Sequence, residues 1–190
     1  MKHIIFTAIL LAAYFTGFAQ VNLDSGLVAF YPFNGDANDE SGNNNTGTNN
    51  GAILASDRFG NSNKAFLFDG TNYIRIANSS TIAISGNQIS LVAWVNWNGS
   101  TATALYIIDK YSGKYNLALN AGDVGSGRPR FSMNAGGVVL DSPDTLTTGE
   151  WHLLVAPYDG TMNRIYVDNQ MVISQSYSGT INYFTNDLII

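Results

Sequence analysis

Short apolar runs, separated by clusters of glycine, asparagine, aspartate and serine, follow one another along the chain after residue 20. In that region no window of a dozen residues repeats apolar positions at the spacing of an amphipathic helix. Runs rich in Val, Ile, Phe, Tyr and Trp between turn residues are typical of β-strands. The pattern therefore predicts thirteen short strands and almost no helix. The predicted strands are Leu27–Phe33, a weak one at Ala52–Leu54, Ala65–Phe68, Tyr73–Ala77, Ile89–Trp97, Ala104–Lys110, Tyr115–Asn120, Arg130–Met133, Val138–Leu140, Trp151–Tyr158, Arg164–Val167, Gln170–Ser174 and Asp187–Ile190.

Tight turns separate several of these strands. Asp69-Gly70 and Asp168-Asn169 are dipeptides that tolerate the positive φ of a short hairpin turn. The strand Ile89–Trp97 is apolar on both faces, which predicts a position in the middle of a sheet. Many short strands with no internal repeat and no linker predict one all-β domain. The expected fold is a two-sheet antiparallel β-sandwich, or jelly roll.

Residues 1–19 have the pattern of a secretory signal peptide. Lys2 supplies a basic start, an apolar run extends from Ile4 to Phe15, and Gly17 and Ala19 are the small residues expected before cleavage. A transmembrane anchor needs about 20 apolar residues, and this run is shorter. We therefore expect a secreted or cell-surface protein, without membrane insertion, whose mature domain spans residues 20–190.

The composition narrows the possible partners and chemistry. Charged residues make up 12% of the chain, and nine basic residues against fourteen acidic ones give a net charge of -5. Loss of Lys2 would leave eight against fourteen, a net charge of -6. With no basic excess, a nucleic-acid partner is disfavoured. The chain has no cysteine, which excludes disulfides and thiolate metal sites, and its single histidine after residue 20, His152, excludes a multi-histidine metal centre.

Several segments resemble the laminin-G-like domains of the concanavalin A-like lectin/glucanase superfamily. They are GLVAFYPFNGDANDESGNNNTGT at 26–48, DRFGNSNKAFLFDGTNYIRIA at 57–77, ISLVAWVNW at 89–97 and TTGEWHLLVAPYDGTMNRIYVDNQMVIS at 147–174. Their order and spacing match along nearly the whole of residues 20–190. The resemblance implies a concanavalin A-like jelly roll of the laminin-G/pentraxin-like branch.

The chain departs from this family at its C-terminal end. Family domains usually continue past a strand such as NDLII with a glycine-rich segment and a final strand, whereas this chain stops at Ile190. We therefore expect the last strands of the domain to be missing, the chain to be part of a larger multidomain protein, and the terminal strand to present an unpaired ladder edge.

Catalytic residues are scarce. The glucanase relatives carry a Glu-x-Asp-x-x-Glu strand, and glycoside hydrolysis usually needs two positioned carboxyl groups. Here the only glutamates are Glu40, in a loop, and Glu150, in a turn. His152 lies between Trp151 and Leu153 on an apolar strand, where a histidine is more often structural than a general base. We therefore predict a protein that is not an enzyme, although an Asp pair formed in space stays open.

Calcium is the predicted metal. The loop from Asn34 to Glu40 offers five oxygen-bearing side chains in seven residues, and hard cations prefer such ligands. It is not an EF-hand, since position six counted from Asp36 is serine, and a solvated turn is the alternative interpretation. Laminin-G-like and pentraxin-like domains often bind calcium, so the resemblance favours a site here, with Asp36, Asn38 and Asp39 as ligands.

Sugar binding is the predicted recognition chemistry, because aromatic faces stack on sugar rings while amides and guanidinium groups bind hydroxyls. The candidate ligand-binding residues are Trp97, Asn98, Tyr111, Arg130 and Asn134. Trp97 is predicted to be the exposed platform, since it ends a strand before a polar turn. Trp94 and Trp151 are predicted to lie in the core.

Three functions remain open at this point. The first is a non-catalytic module that binds carbohydrate or a glycoprotein surface, with calcium as a possible structural or ligand-bridging ion. The second is a protein-binding, adhesion or spacer module within a larger chain. The third is a glycosidase or polysaccharide lyase.

Overall fold

Twelve of the thirteen predicted strands are found, with ends shifted by at most two residues. The protein is described here from a computed structural model that covers residues 25–100, 104–110, 115–119, 127–134 and 137–190. The predicted signal peptide and Asn120 lie outside these described residues. The strands are β1 (Thr48–Asn50), β2 (Ile53–Ala55), β3 (Ala65–Leu67), β4 (Tyr73–Ile76), β5 (Ile89–Asn96), β6 (Leu105–Lys110), β7 (Tyr115–Leu119), β8 (Pro129–Met133), β9 (Val138–Asp141), β10 (Trp151–Tyr158), β11 (Met162–Val167), β12 (Gln170–Ser176) and β13 (Leu188–Ile189).

The strands form two large antiparallel sheets and one small one. A seven-stranded sheet has the order β1-β4-β13-β6-β7-β8-β9, and a four-stranded sheet has the order β12-β11-β10-β5. Strands β2 and β3 form a separate two-stranded hairpin. The predicted fold class, an all-β antiparallel sandwich of two large sheets, is confirmed.

The hydrophobic core lies between the two large sheets. Along β10, His152, Leu154, Ala156 and Tyr158 are buried while the alternate residues are half-buried, so one face of the strand packs inward. Burial of one large apolar side chain contributes about 1.5–3 kcal/mol. The core draws on both sheets and includes Ile74, Ile76, Leu117, Leu119, Phe131, Met133 and Leu140 from the larger sheet and Leu91, Leu154, Ala156, Tyr158 and Ile165 from the smaller one.

One predicted strand is wrong and one strand was not predicted. Residues 27–33 form no strand, because side chains of the following loop take the hydrogen-bonding positions that a neighbouring strand would occupy. The carbonyl oxygen of Val28 accepts a hydrogen bond from the side-chain Nδ2 of Asn45 at 3.0 Å. The unpredicted strand, β1, is short and polar, so it carries no apolar signal.

The position predicted for Ile89–Trp97 is also wrong. In the described part of the chain β5 is the outer strand of the four-stranded sheet and pairs with β10. Its outward side chains Val92 and Trp94 are exposed rather than covered. On the outward face Val92 lies beside Val155 of β10, and Trp94 lies beside Leu153.

The C-terminal strand does not present the expected unpaired edge. Leu188 pairs with Ile76 on one side and with Lys110 on the other, which places β13 inside the seven-stranded sheet. The predicted hairpin turn at Asp168-Asn169 is confirmed, since φ is 49° and 67° at its two residues, as a type I′ turn requires.

Candidate functional site

A continuous row of side chains crosses the outer face of the seven-stranded sheet. Asn116 lies in this row, and its neighbours Tyr115 and Leu117 point into the core, so Asn116 points outward. Directly paired residues in an antiparallel sheet share one face. The strand pairing therefore places these residues side by side across all seven strands: Thr48, Arg75, Ile189, Asp109, Asn116, Ser132 and Val139.

A second row lies beside the first, over strands β6 to β9. Tyr106 pairs with Ala118, Ala118 with Arg130, and Arg130 with Asp141. Tyr106 is 50% exposed, whereas Ala118 is fully buried. The alanine side chain is therefore covered, and it lies between the exposed phenol ring and the guanidinium group in the row.

Hydrogen bonds hold the polar groups of these rows in place. Ser132 donates to the Asn116 side-chain oxygen at 2.9 Å. Arg130 donates to both carboxylate oxygens of Asp141, with Nε–Oδ1 at 2.5 Å and Nη2–Oδ2 at 2.8 Å. Such a bidentate pair fixes the plane of the guanidinium group. We refer to Tyr106, Asn116, Ala118, Arg130, Ser132 and Asp141 as the polar face.

Of the predicted ligand-binding residues, Arg130 lies on this face. The other described residues predicted to bind sugar lie elsewhere. The remaining residues of the polar face were not predicted from the sequence. One residue of the polar face could have been found from the sequence. Asn116 is a polar residue within the apolar strand YNLAL, and alternation along the strand places it on the outward side. Tyr106 gave no comparable signal, since aromatic residues are equally common in cores.

The predicted exposures of two tryptophans are reversed. Trp97 is half-buried and packs against the core, with its indole nitrogen buried. Trp94 is 43% exposed, and its predicted core position is wrong. Trp151 is likewise half-buried on the outward side of β10. The reason is alternation along β5, which turns Leu91, Ala93 and Val95 inward and Trp94 outward.

The remaining predicted sugar ligands are not brought together. Asn98 is exposed, and its side-chain oxygen accepts from the Ser100 amide at 3.0 Å in a local turn. The Asn134 side chain donates to the carbonyl of Thr180 at 3.0 Å and accepts from the amide of Asn182 at 3.0 Å. Asn134 therefore ties β8 to the segment before β13. Tyr111 lies outside the described residues.

The two carboxylates among the predicted calcium ligands already accept hydrogen bonds from nearby parts of the chain. Asp39 Oδ1 accepts from the amides of Phe30 and Ser41, and Oδ2 accepts from the amide of Asn45. Burial raises the pKa of Asp39, but these backbone donors outweigh it and lower that pKa below its ordinary value. With Oδ1 saturated, Asp39 fits a structural role better than a ligand role.

Asp36 and Asn38 leave more room for a cation. Asp36 accepts from the amide of Asn38 at 3.0 Å and from its side-chain nitrogen at 2.6 Å, one bond at each oxygen. Among the described residues, no group of three or more His, Cys, Asp or Glu side chains is placed to hold a metal ion. Calcium binding stays a prediction, with Asp36 as its strongest residue.

His152 is placed for structure. Its Nδ1 lies 2.7 Å from Asp168 Oδ2, while Asp168 Oδ1 accepts from the amide of Leu153 at 2.8 Å. Burial raises the pKa of Asp168, and the bonds from His152 and Leu153 lower it overall. His152 is 8% exposed and its Nε2 is buried, so this nitrogen is closed to solvent.

Fold and face together define a jelly-roll domain with a polar outer surface on its larger sheet. The sequence matches the family model of the concanavalin A-like lectin/glucanases superfamily over residues 68–190. The chain therefore belongs to the concanavalin A-like lectin/glucanase superfamily. No curated protein is significantly similar to the sequence. Within the described residues no helix is long and apolar enough to cross a membrane.

Solved structures show the same fold. Domain 4 of an extracellular GH43 arabinanase from Geobacillus stearothermophilus, in complex with arabinotriose, has a TM-score of 0.64 at 20% identity, covering 85% of this chain and 81% of that one. A structure of botulinum neurotoxin type C, whose cell entry depends on two ganglioside molecules, has a TM-score of 0.59 at 11% identity, covering 87% and 42%. A putative carbohydrate-binding protein from Bacteroides ovatus has a TM-score of 0.50 at 14% identity, covering 68% and 43%. At these identities the likeness shows the fold alone.

Proposed function

We propose that this protein is a non-catalytic carbohydrate-recognition module of a secreted or cell-surface protein, and that it binds a glycan on the polar face. The observation that carries the proposal is the row Tyr106, Ala118, Arg130 and Asp141. It places an exposed aromatic ring and a fixed ion pair on the same face of the sheet, on either side of Ala118.

This arrangement suits a sugar because a sugar ring has both an apolar and a polar side. The apolar side of the ring can stack on Tyr106, whose phenol ring is a large amphipathic contact surface. Hydroxyl groups at the ring edge then reach Arg130 and Asp141, which offer donors and acceptors in a fixed geometry. Asn116 and Ser132, buried beside them, add a hydrogen-bonded floor.

Two carboxylates on the outer side of the seven-stranded sheet, one in each row, are poorly arranged for glycoside hydrolysis. Asp109 lies on β6 and Asp141 on β9, three strand positions apart, which corresponds to about 14 Å at the usual strand spacing. Retaining and inverting glycosidases separate their carboxyl groups by about 5–9.5 Å. Asp141 is also neutralised by Arg130. These distances support a binding role over an enzymatic one.

The descriptions of two similar solved structures support the same proposal. One structural neighbour is an arabinanase domain solved with arabinotriose, and another is a putative carbohydrate-binding protein. Binding of a glycan by this chain is the step that the proposal adds, and the polar face is where we expect it.

A glycan array with the purified protein, with calcium and with chelator, tests the function. We expect binding of at least one neutral oligosaccharide, and we expect Tyr106→Ala to weaken it roughly tenfold because the stacking surface is lost. Met171→Ala, which removes an exposed side chain from the outer face of the other sheet, is the matched control and should leave binding unchanged. No ligand in either condition, or equal losses in both variants, would contradict the proposal.

A further inference from the structure

A second surface feature lies on the other sheet, around Arg58. The guanidinium carbon of Arg58 is 4.2 Å from the centroid of the Phe59 ring and 4.5 Å from that of the Trp94 ring. Phe59 is 72% exposed and Trp94 43% exposed. Two large aromatic rings in contact with one cation thus remain open to solvent.

The loop that carries Arg58 is held in shape by Asp57. One oxygen of Asp57 accepts from the amides of Phe59 and Asn61, both at 2.9 Å, and the other accepts from the Asn61 side chain at 3.1 Å. The Asp57 carboxylate is thereby occupied with the loop backbone. The hydrogen bonds of Asp57 fix the backbone of the loop on both sides of Arg58 and Phe59.

Arg58 differs from the other four arginines of the chain in its hydrogen bonds. Arg75 pairs with Asp187, Arg130 with Asp141 and Arg164 with Asp159, and Arg128 donates to the carbonyl of Ser142. No acceptor among the described residues takes a hydrogen bond from Arg58. Contact with two rings restricts its guanidinium plane, while the N–H donors at the edge of that plane stay available.

We propose that Arg58, Phe59 and Trp94 form a second binding site, which recognises the carboxylate of an acidic sugar. A planar guanidinium with free edge donors matches a carboxylate in a bidentate geometry. The sugar ring that bears the carboxylate then contacts the exposed face of Phe59. Contact with the two rings restricts the Arg58 side chain before the ligand arrives, and this lowers the conformational entropy lost on binding.

This second site rests on the proposed function because its ligand is also a glycan. It lies on a different surface from the polar face. Trp94 pairs with Leu153 across β5 and β10 on the outer face of the four-stranded sheet. The polar face belongs to the seven-stranded sheet. Variants on one surface therefore report independently of variants on the other.

Calorimetric titration of the purified protein with galacturonate oligomers, neutral galactose oligomers and sulfated galactose oligomers tests the proposal. We expect galacturonate oligomers to bind, and Arg58→Gln to weaken that binding at least about tenfold. Arg58→Lys should also weaken it, since lysine keeps the charge and loses the planar fork. Arg164→Gln, which removes an arginine from the same sheet, is the matched control and should bind like the unaltered protein.

Each result decides the point. Absence of galacturonate binding, unchanged binding by Arg58→Gln, or equal losses in Arg58→Gln and Arg164→Gln would overturn the site. Equal affinity for sulfated oligomers together with full binding by Arg58→Lys would overturn the carboxylate assignment in favour of simple charge attraction. Galacturonate binding that survives Tyr106→Ala while neutral sugars fail to bind would support this site and reject the polar face.

Discussion

The carboxylate of Asp39 accepts a hydrogen bond of 3.0 Å from the backbone amide of Phe30. The same side chain also receives the amides of Ser41 and Asn45, and the amide of Glu40 returns a bond to the carbonyl of Phe30 at 2.9 Å. One acidic side chain therefore joins the N-terminal segment to the loop that follows it. This connection replaces the strand ladder that the apolar pattern of residues 27–33 suggests.

Replacing Asp39 should destabilise the protein. Asp39→Asn leaves one side-chain oxygen where three backbone amides need acceptors, and we expect the free energy of unfolding to fall by roughly 2–3 kcal/mol. Urea unfolding followed by tryptophan fluorescence measures the change. Asp36→Asn is the control, because within the described part of the chain Asp36 accepts hydrogen bonds only from Asn38, and its effect should be below about 1 kcal/mol. Similar small effects in both variants would contradict the structural role of Asp39.

Acid should weaken the attachment of the C-terminal strand. The backbone amide of Asn78 and the Arg75 guanidinium, against a smaller opposing effect of burial, lower the pKa of Asp187 below its ordinary value. A carboxyl group whose folded pKa is lowered contributes its full stability above the unfolded pKa of about 3.9, and loses it as the pH falls through the folded pKa.

We therefore expect the free energy of unfolding to decrease below about pH 4, and to decrease less in Asp187→Asn than in the unaltered protein. Unfolding in urea at pH 7 and at a series of lower values measures both curves. An identical pH dependence of the two proteins would show that Asp187 makes no such contribution.

Gly127 should tolerate substitution poorly for a reason that most other glycines lack. Its φ is 75°, and a methyl group added there would overlap the ring of Trp97. Gly60 has a similar φ of 81° with open space around it. We expect Gly127→Ala to cost about 2–4 kcal/mol from backbone strain and overpacking, and Gly60→Ala about 1 kcal/mol from strain alone. Thermal or urea unfolding compares them directly, and equal costs would argue against the close packing of Trp97.

Calcium binding can be separated from the structural role of Asp39. If the ion is held through Asp36 and Asn38, millimolar calcium should raise Tm relative to chelator, because a ligand that binds the native state stabilises it. Asp36→Asn should remove most of that rise while leaving Tm in chelator nearly unchanged. No difference between calcium and chelator for the unaltered protein would contradict the prediction.

The polar face illustrates why part of a site escapes sequence reasoning. Asn116 and Ser132 are sixteen residues apart in sequence and meet because β7 pairs with β8. Tyr106 joins them through a bulge that shifts the register between β6 and β7. Register depends on pairing between strands, which a single sequence does not display.

The sequence by itself determined the class of fold, the strands from β2 to β13 and the shortage of catalytic groups, because period-two apolar patterns, turn residues and composition are local properties. Only the tertiary structure decided which tryptophan is exposed, that β5 is an outer strand, and that Leu188 lies between Ile76 and Lys110 inside a sheet. These features depend on which strands meet and which face of each is covered. Packing between segments far apart in the chain decides these contacts. Asp39 is a further example, because its carboxylate binds the backbone of the apolar segment 27–33 where a neighbouring strand was expected.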